Sequence, residues 1–497
     1  MIGRRTLLKS AALFAGAGGL LSQHQGQIMV APAMAAGETV PSTTPFLLGG
    51  YAPVQDELTV ETLPIRGEVP REIAGVYMRN GPNPAYPPIS YFYPFDGDGM
   101  IHALYFENGR VSYRNRFVLT AGLKAERRAG RAIYGGLFKQ IPPDPRFVPP
   151  DGDPSPAKKV ANTHVIRHAG RYLALREDDL PYELTHELET VGKWDFYGEV
   201  HDAVTAHPKV DPTTGELFMF RWSPEPPYLV LRAVDPTGRL VRQLPLDVPA
   251  PFIVHDMAIT TDHVVFFLCP FLIDPEKAVH GGPGVYWEPE RGTRIAVVRR
   301  DGTGGTRWFA TEPFFMFHFM NAHETGSGVI CEYCQFAALP GVVPGVPTPP
   351  SLWRMTLDFQ TGSAVREQVD ERSGEFPRVD PRVWGRPYRY GWLPVTTQRR
   401  QPPGTRAGLA RYDFKTGAVA TYDFGPGHEI DEPVFVPRSA SADEGDGWIM
   451  TYVYDAANDR STLVILDARE SERTPIAEIS LPRRVPHGFH GDWMPAG

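Results

Sequence analysis

The sequence predicts an all-β protein, a β-propeller, and three observations lead there. After about residue 60 no long helical pattern stands out in the 497 residues. Short apolar or alternating runs recur instead, the pattern of strands. Turn sequences of one kind separate them. Many short antiparallel strands with no low-complexity linker suggest a propeller with blades of uneven length. An array of β-sandwich domains is the competing reading.

The strand candidates, in order, are "GVYMRN" from Gly75, "RVSYRNRFVL" from Arg110, "ELFMFRW" from Glu216 and "YLVLRAV" from Tyr228. "HVVFFLC" from His263, "RIAVVRR" from Arg294, "WIMTYVYD" from Trp448 and "STLVILD" from Ser461 follow. The turns are Asp211–Gly215, Asp235–Gly238, Asp358–Gly362 and Asp413–Gly417. Each supplies an Asp that accepts hydrogen bonds within the turn and a Gly that tolerates positive φ. Two kinds of segment break the pattern. Ala121–Tyr134 reads as a short helix, and Pro142–Pro156 and Gly341–Pro350 read as proline-rich loops. Long loops on a rigid scaffold are where lids and entrances sit.

Hydrophobic residues make up 42% and charged residues 22%, enough apolar material for a large core in a soluble globular chain. The net charge of −8 argues against nucleic acid as a partner, because that surface needs clustered Lys and Arg. Three cysteines, Cys269, Cys331 and Cys334, are too few for a disulfide framework. The last two have CxxC spacing, but they lie in a strand-like run in which positions i and i+3 face opposite sides. With no second pair, neither a zinc nor a redox role is expected.

Residues 1–35 read as an address rather than as fold. Arg4 and Arg5 precede an uncharged segment, Ala11–Leu21, and Ala33–Ala35 offers an A-x-A cleavage site. The paired arginines with Leu7, Leu8 and Lys9 resemble a twin-arginine export signal. A general secretory signal is the plainer alternative. The apolar run is too short and glycine-rich for a membrane span. Cleavage removes three positive charges and no acids, leaving −11 on a single domain of residues 36–497. The expected destination is the periplasm, through the twin-arginine machinery. That route carries folded proteins, so a cofactor inserted in the cytoplasm would travel with the chain.

Fifteen histidines are present, and most need no special role. His207, His255, His318 and His490 stand apart because their contexts match: "TAHPKVDP", "IVHDMAIT", "MFHFMNAHE" and "GFHGDW". The first three are separated by roughly one propeller blade per step. Equivalent inner-strand positions of successive blades converge on a central axis, where one side chain per blade can reach a metal.

The chain resembles the carotenoid cleavage oxygenase family, which includes carotenoid, apocarotenoid and lignostilbene dioxygenases. The resemblance runs from "GVYMRNGPNP" at Gly75 to "GFHGDW". It includes "FDGDGMIHAL" (Phe95–Leu104), "VANTHV" (Val160–Val165), "AHPKVDPTTGE", "HDMAIT", "FHFMNAHE", "EFPRVDPR" (Glu375–Arg382) and "EPVFVPR" (Glu432–Arg438). It implies a seven-bladed propeller with a loop and short-helix cap over the metal face. It also implies one Fe(II) per chain on His207, His255, His318 and His490, with O2 as co-substrate. Glu177, Glu375 and Glu432 match the glutamates that support the ligands. Thr163 matches a residue near the open side of the iron. His323 and His487 are decoys, expected to be structural.

Neutral imidazoles suit Fe(II). A glutamate accepting the far N–H of each fixes its tautomer and aims the ring. Four imidazoles with no ligating carboxylate leave two octahedral positions free for O2 and water or substrate. The expected reaction splits an electron-rich double bond into two carbonyl products. A non-enzymatic propeller is the reading from another class, and loss of one ligand would have favoured it.

Substrate class is less marked. Stilbene-type members grip a phenol, with help from a lysine just before the first supporting glutamate. That position is Arg176, which stays protonated and presents a planar fork. A position matched to a tyrosine in the family is Phe117, which removes another polar handle. The expectation is therefore a carotenoid or apocarotenoid, with a stilbenoid or phenylpropanoid as alternative. Such an apolar or aromatic small molecule would also bring transient membrane contact during uptake.

The export signal is testable. Arg4→Lys with Arg5→Lys is expected to leave the precursor in the cytoplasm, folded and active, as read by fractionation and immunoblotting. Efficient export of the double variant would assign the chain to the general secretory route.

Overall fold

A computed structural model describes residues 44–496 except 92, 137, 138, 151, 275, 277–283, 340–348 and 398–404. The signal segment and most of the loop Gly341–Pro350 lie outside the described residues. The chain forms seven antiparallel sheets arranged as propeller blades, plus one two-stranded hairpin, Phe271–Ile273 with Val285–Trp287. Every strand candidate named above coincides with a strand of a blade to within two residues at either end.

Blade 1 runs outward from Gly491–Pro495 through Gly75–Pro82, Gly99–Glu107 and Arg110–Phe117 to Thr59–Val60. The inner strands of blades 2 to 6 are His164–His168, Lys209–Val210, Ala258–Ile259, Phe315–Glu324 and Arg378–Val379. Blade 7 begins with Val434–Pro437 and His428–Ile430, both paired with Gly447–Asp455, and ends at Ile65–Gly67. The two ends of the chain close the ring. An early segment supplies the outermost strand of blade 7, and the last segment supplies the innermost strand of blade 1. There Arg79 pairs with Gly491 and Gly75 with Pro495.

Packing follows the blades. A buried apolar cluster lies at each of the seven interfaces: Tyr77 and Trp448 between blades 7 and 1, for example, and Phe218 and Phe266 between blades 3 and 4. Middle strands are buried on both faces, whereas outer strands such as Leu240–Leu246 alternate in exposure. Cys331 and Cys334 are free and buried, and they pack into different interfaces, toward blades 4 and 6 respectively. Opposite faces of one strand explain this, and the pair cannot share a metal. In the Asp211 turn, Asp211 Oδ1 accepts from Thr213 N at 2.7 Å and Gly215 has φ +71°.

The expected helix is shorter than the sequence suggested. It spans Ala121–Ala129, capped by Thr120 Oγ1, which accepts from Leu123 N at 3.2 Å. Gly130 at φ +66° ends it in the left-handed conformation. Beyond that glycine, Ile133 N donates back to Glu126 Oε1 at 3.0 Å, so residues 131–134 fold against the helix instead of extending it. Lys158 Nζ joins Glu126 to Asp98 at 2.7 and 2.9 Å, fastening this cap to the "FDGDG" loop. Among the described residues no helix is long and apolar enough to cross a membrane.

Candidate metal centre

Each blade delivers its inner strand to the axis, and the residues at or just before those strands build the site. His490 directly precedes the inner strand of blade 1, His207 that of blade 3 by two residues, and His255 that of blade 4 by three. His318 lies inside the inner strand of blade 5, where the register slips between Met316 and Phe319 and again before Asn321. Such irregularity re-aims a side chain out of the regular alternation. Glu375 and Glu432 hold the equivalent places before the inner strands of blades 6 and 7. Blade 2 supplies Thr163 before its inner strand and Glu177 after Arg171–Leu175.

Ring nitrogens of His207, His255, His318 and His490 lie within 4.8 Å of one another, a group that could hold a metal ion. Around an ion with bonds of about 2.1 Å, neighbouring donors sit about 3.0 Å apart and opposite ones about 4.2 Å apart. The His255 and His318 Nε2 atoms are 3.3 Å apart. The Nδ1 atoms point away, onto carboxylates. His318 Nδ1 donates to Glu375 Oε2 at 2.6 Å, His490 Nδ1 to Glu432 Oε1 at 2.8 Å, and His255 Nδ1 to Glu177. With Nδ1 protonated, each Nε2 keeps its lone pair for the shared centre. His207 is set by its backbone N–H on Thr205 Oγ1 at 2.9 Å.

The donor set fits a divalent cation. His207 Nε2 is buried with no hydrogen-bond partner, an arrangement that costs free energy unless something else binds it. Burial and the neighbouring imidazoles hold His207 and His490 well below the usual histidine range, so both are neutral and ready to ligate. Burial pushes His255 down as well, but the Glu177 carboxylate outweighs it and raises the group. Glu432 is raised by burial, an effect that Arg378 opposes.

The remaining residues singled out in the sequence have different places. The Thr163 carbonyl accepts from His490 N at 3.0 Å, and its hydroxyl donates to Asn162 Oδ1 at 3.1 Å. Arg176 donates from NH1 to the same Asn162 Oδ1 at 3.2 Å and to the Phe95 carbonyl, and its Nε lies 3.5 Å from Asp178. Arg176 is thus a tie that holds the loop around Asn162. Phe117 packs with Val54, Met100 and Leu123 beneath the cap rather than on the imidazoles. His323 is outside the cluster. His487 is enclosed by carboxylates, with Nε2 2.5 Å from Glu429 and Nδ1 2.7 Å from Asp431.

Three further residues at the centre lie in the matching stretches "FHFMNAHE", "EFPRVDPR" and "VANTHV", although nothing in the sequence assigns them an individual role. Phe317 meets the His255 ring edge-on at 5.1 Å between centroids. Phe376 stacks on His318 at 5.2 Å and approaches His490 at 5.3 Å. It does so at φ +64°, a strained conformation for a bulky residue. Its N–H donates to the Glu375 oxygen that also holds His318. The third is His164, next to Thr163, whose ring centroid is 5.5 Å from that of His490.

Two outcomes follow. Glu375→Gln keeps the shape but weakens the acceptor, and metal affinity in a chelator competition is expected to fall by roughly 10–100-fold. Unchanged affinity would separate Glu375 from the centre. The second concerns His487: burial alone would lower it, but Asp431 and Glu429 raise it to about 9. Its folded value lies above the unfolded one, so its stabilisation is complete below about pH 6.5 and is lost as pH rises through about 9. Urea unfolding of His487→Gln against the parent is expected to show this extra pH dependence only in the parent.

Comparison with known proteins places this architecture. The chain is 33% identical over 474 residues to isoeugenol monooxygenase of Pseudomonas nitroreducens, covering 91% of this chain and 98% of that one. It is 31% identical over 482 residues to the carotenoid 9,10(9',10')-cleavage dioxygenase of Crocus sativus, covering 90% and 88%. The crystal structure of Pseudomonas brassicacearum lignostilbene dioxygenase superposes with a TM-score of 0.85 at 34% identity, covering 91% of this chain and 99% of that one. The family model described as RPE65, retinal pigment epithelial membrane protein, matches residues 51–495. With the seven blades and the four converging histidines, these matches show that the chain belongs to the RPE65 and carotenoid cleavage oxygenase family.

Proposed function

We propose that this chain is a non-haem Fe(II) dioxygenase that cleaves a carbon–carbon double bond into two carbonyl products. The observation that carries the reading is the set of four imidazoles, three of them turned by glutamates, with Nε2 atoms facing one point on the axis. His207, His255, His318 and His490 would hold the ion, and Glu177, Glu375 and Glu432 would orient the ligands and offset its charge. Fe(II), when bound, supplies the electrons that make O2 reactive toward an alkene. One O2 and one alkene then give two carbonyls, with both oxygen atoms accounted for.

The residues of the chain do the placing. Phe317 and Phe376 set aromatic faces beside the imidazoles, an environment that accepts a flat conjugated substrate and excludes water. Thr163 holds His490 through its carbonyl and so fixes one ligand relative to blade 2. Holding one double bond beside the ion is the main work left to the protein.

For the substrate we favour a carotenoid or apocarotenoid. The Arg176 fork is engaged with Phe95, Asn162 and Asp178, and as a guanidinium it cannot take a phenolic proton. A stilbenoid or phenylpropanoid is the second reading. Its support is the full-length similarity to the isoeugenol and lignostilbene enzymes.

The iron-loaded protein, incubated with an apocarotenal, a 4-hydroxystilbene and isoeugenol under 18O2, is expected to yield labelled aldehydes from the apocarotenal. His255→Ala is expected to lose both iron and turnover. Rapid cleavage of the hydroxystilbene, with the methoxy analogue and the apocarotenal untouched, would replace the first substrate reading by the second. No cleavage of any alkene by the iron-loaded chain would overturn the reaction.

A further inference from the structure

A chamber beside the imidazoles borders His207, His318 and His490 but not His255. It is lined by His207, His318 and His490 and by polar side chains of the inner strands, among them His164, Lys209 and Arg378. Its volume is about 40 Å³, room for about three water molecules. Lys209 and Arg378 in its wall, and Asp492 beside it, keep partial exposure, so water reaches this part of the axis. Two of its cations are matched within it. Lys209 Nζ is 2.6 Å from Asp256, and Arg378 pairs with Asp492 and lies 3.6 Å from Glu432. The lining carboxylates Asp256 and Glu432 match the two cations, and Asp492, which sits behind His164 and Arg378, adds a further negative charge beside the chamber.

His164 is the unexplained group here. It is 4% exposed. Its Nδ1 faces the Ala206 carbonyl at 3.1 Å, which fixes the proton on Nδ1. Its Nε2 has no hydrogen-bond partner and lies 3.4 Å from Asp492 Oδ2 without the alignment of a hydrogen bond. Arg378 engages the other carboxylate oxygen of Asp492. A nitrogen lone pair and a carboxylate oxygen at that separation match two donors about 2.1 Å from one cation at a tetrahedral angle, which are about 3.4 Å apart.

We propose that this chamber is the port through which the metal ion reaches the four-histidine centre, with His164 and Asp492 as a transient two-donor station. The inference rests on the metal-centre reading above. A hydrated dication cannot shed water against Phe317 and Phe376 without replacement donors, because bare charge in an apolar setting is costly. On the polar side, water, the Asp492 carboxylate and the His164 imidazole replace the hydration shell stepwise, and the next nitrogens are those of His207 and His490, whose ring centroids lie 6.2 and 5.5 Å from that of His164. The nearby Arg378 guanidinium keeps the station weak, so the ion moves on to the four imidazoles. Apolar substrate and metal then reach the centre by different routes.

The full chain is stripped with a chelator and mixed anaerobically with Co(II), whose visible absorption reports its ligand field, in a stopped-flow instrument. His164→Gln and His164→Gly are expected to slow Co(II) uptake by about tenfold or more, with the same final stoichiometry and spectrum as the parent. Added imidazole is expected to restore the rate of His164→Gly, which a merely structural role for His164 would not produce. Parent-like uptake rates in both variants would overturn the port. So would a slowed rate that imidazole leaves unchanged, or an altered final spectrum. A parent chain that takes up no Co(II) would instead overturn the metal-centre reading, and the port with it.

Discussion

The site depends on closure of the ring. Pairing of Gly491–Pro495 with Gly75–Pro82 seats His490 at the axis and fixes the distance at which blade 1 faces blades 3, 4 and 5. That seam tolerates little. A side-chain carbon at Gly491 would lie 2.4 Å from the Met78 carbonyl oxygen, and one at Gly488 would lie 2.7 Å from Arg79 and the Asn80 oxygen. Arg79 is fully buried there, donating to Pro486 O at 2.5 Å and pairing with Asp431. Asp431 in turn holds His487 and is the neighbour of Glu432. The first and last blades, the closing strand and one ligand–glutamate pair are therefore one connected polar network at the seam.

Charge explains the rest of the arrangement. Four neutral imidazoles do nothing to cancel a dication, so the compensation comes from Glu177, Glu375 and Glu432 one bond further out. Placing the carboxylates there keeps them off the ion while their hydrogen bonds fix each tautomer. Burial favours the neutral forms of His207, His490 and Glu432, and a bound cation would favour the ionised form of Glu432. The centre is thereby assembled for a cation before one arrives. Phe317 and Phe376 flank the imidazoles, and Lys209, Asp256, Arg378 and Glu432 bring charge into the wall of the neighbouring chamber.

The propeller was legible in the sequence because its two signals are local: short apolar runs and Asp-to-Gly turns. The ligand set was legible through the family resemblance, which assigned His207, His255, His318 and His490, whereas the spacing of the inner strands alone only suggested one side chain per blade. The helix end was misjudged because apolar character continues past Gly130, whereas the return of Ile133 to Glu126 is a tertiary contact. His164 and Phe376 lie in matching stretches, but their individual places were not legible for the same kind of reason. A single histidine beside Thr163 looks ordinary until the Asp492 strand arrives from the other end of the chain. Phe376 has a positive φ where it packs on two imidazoles, a conformation that its residue type does not announce. Arg176 was read for its chemistry alone, and its engagement by Phe95 depends on a loop some eighty residues away.

The most direct test of the account is X-ray absorption spectroscopy at the iron edge on the Fe(II)-loaded full chain. The account predicts four imidazole nitrogens at about 2.1 Å with their outer-ring scattering, light-atom donors from water completing the shell, and no sulfur. A shell with three or fewer imidazoles, or with one of the cysteine sulfurs in it, would contradict it.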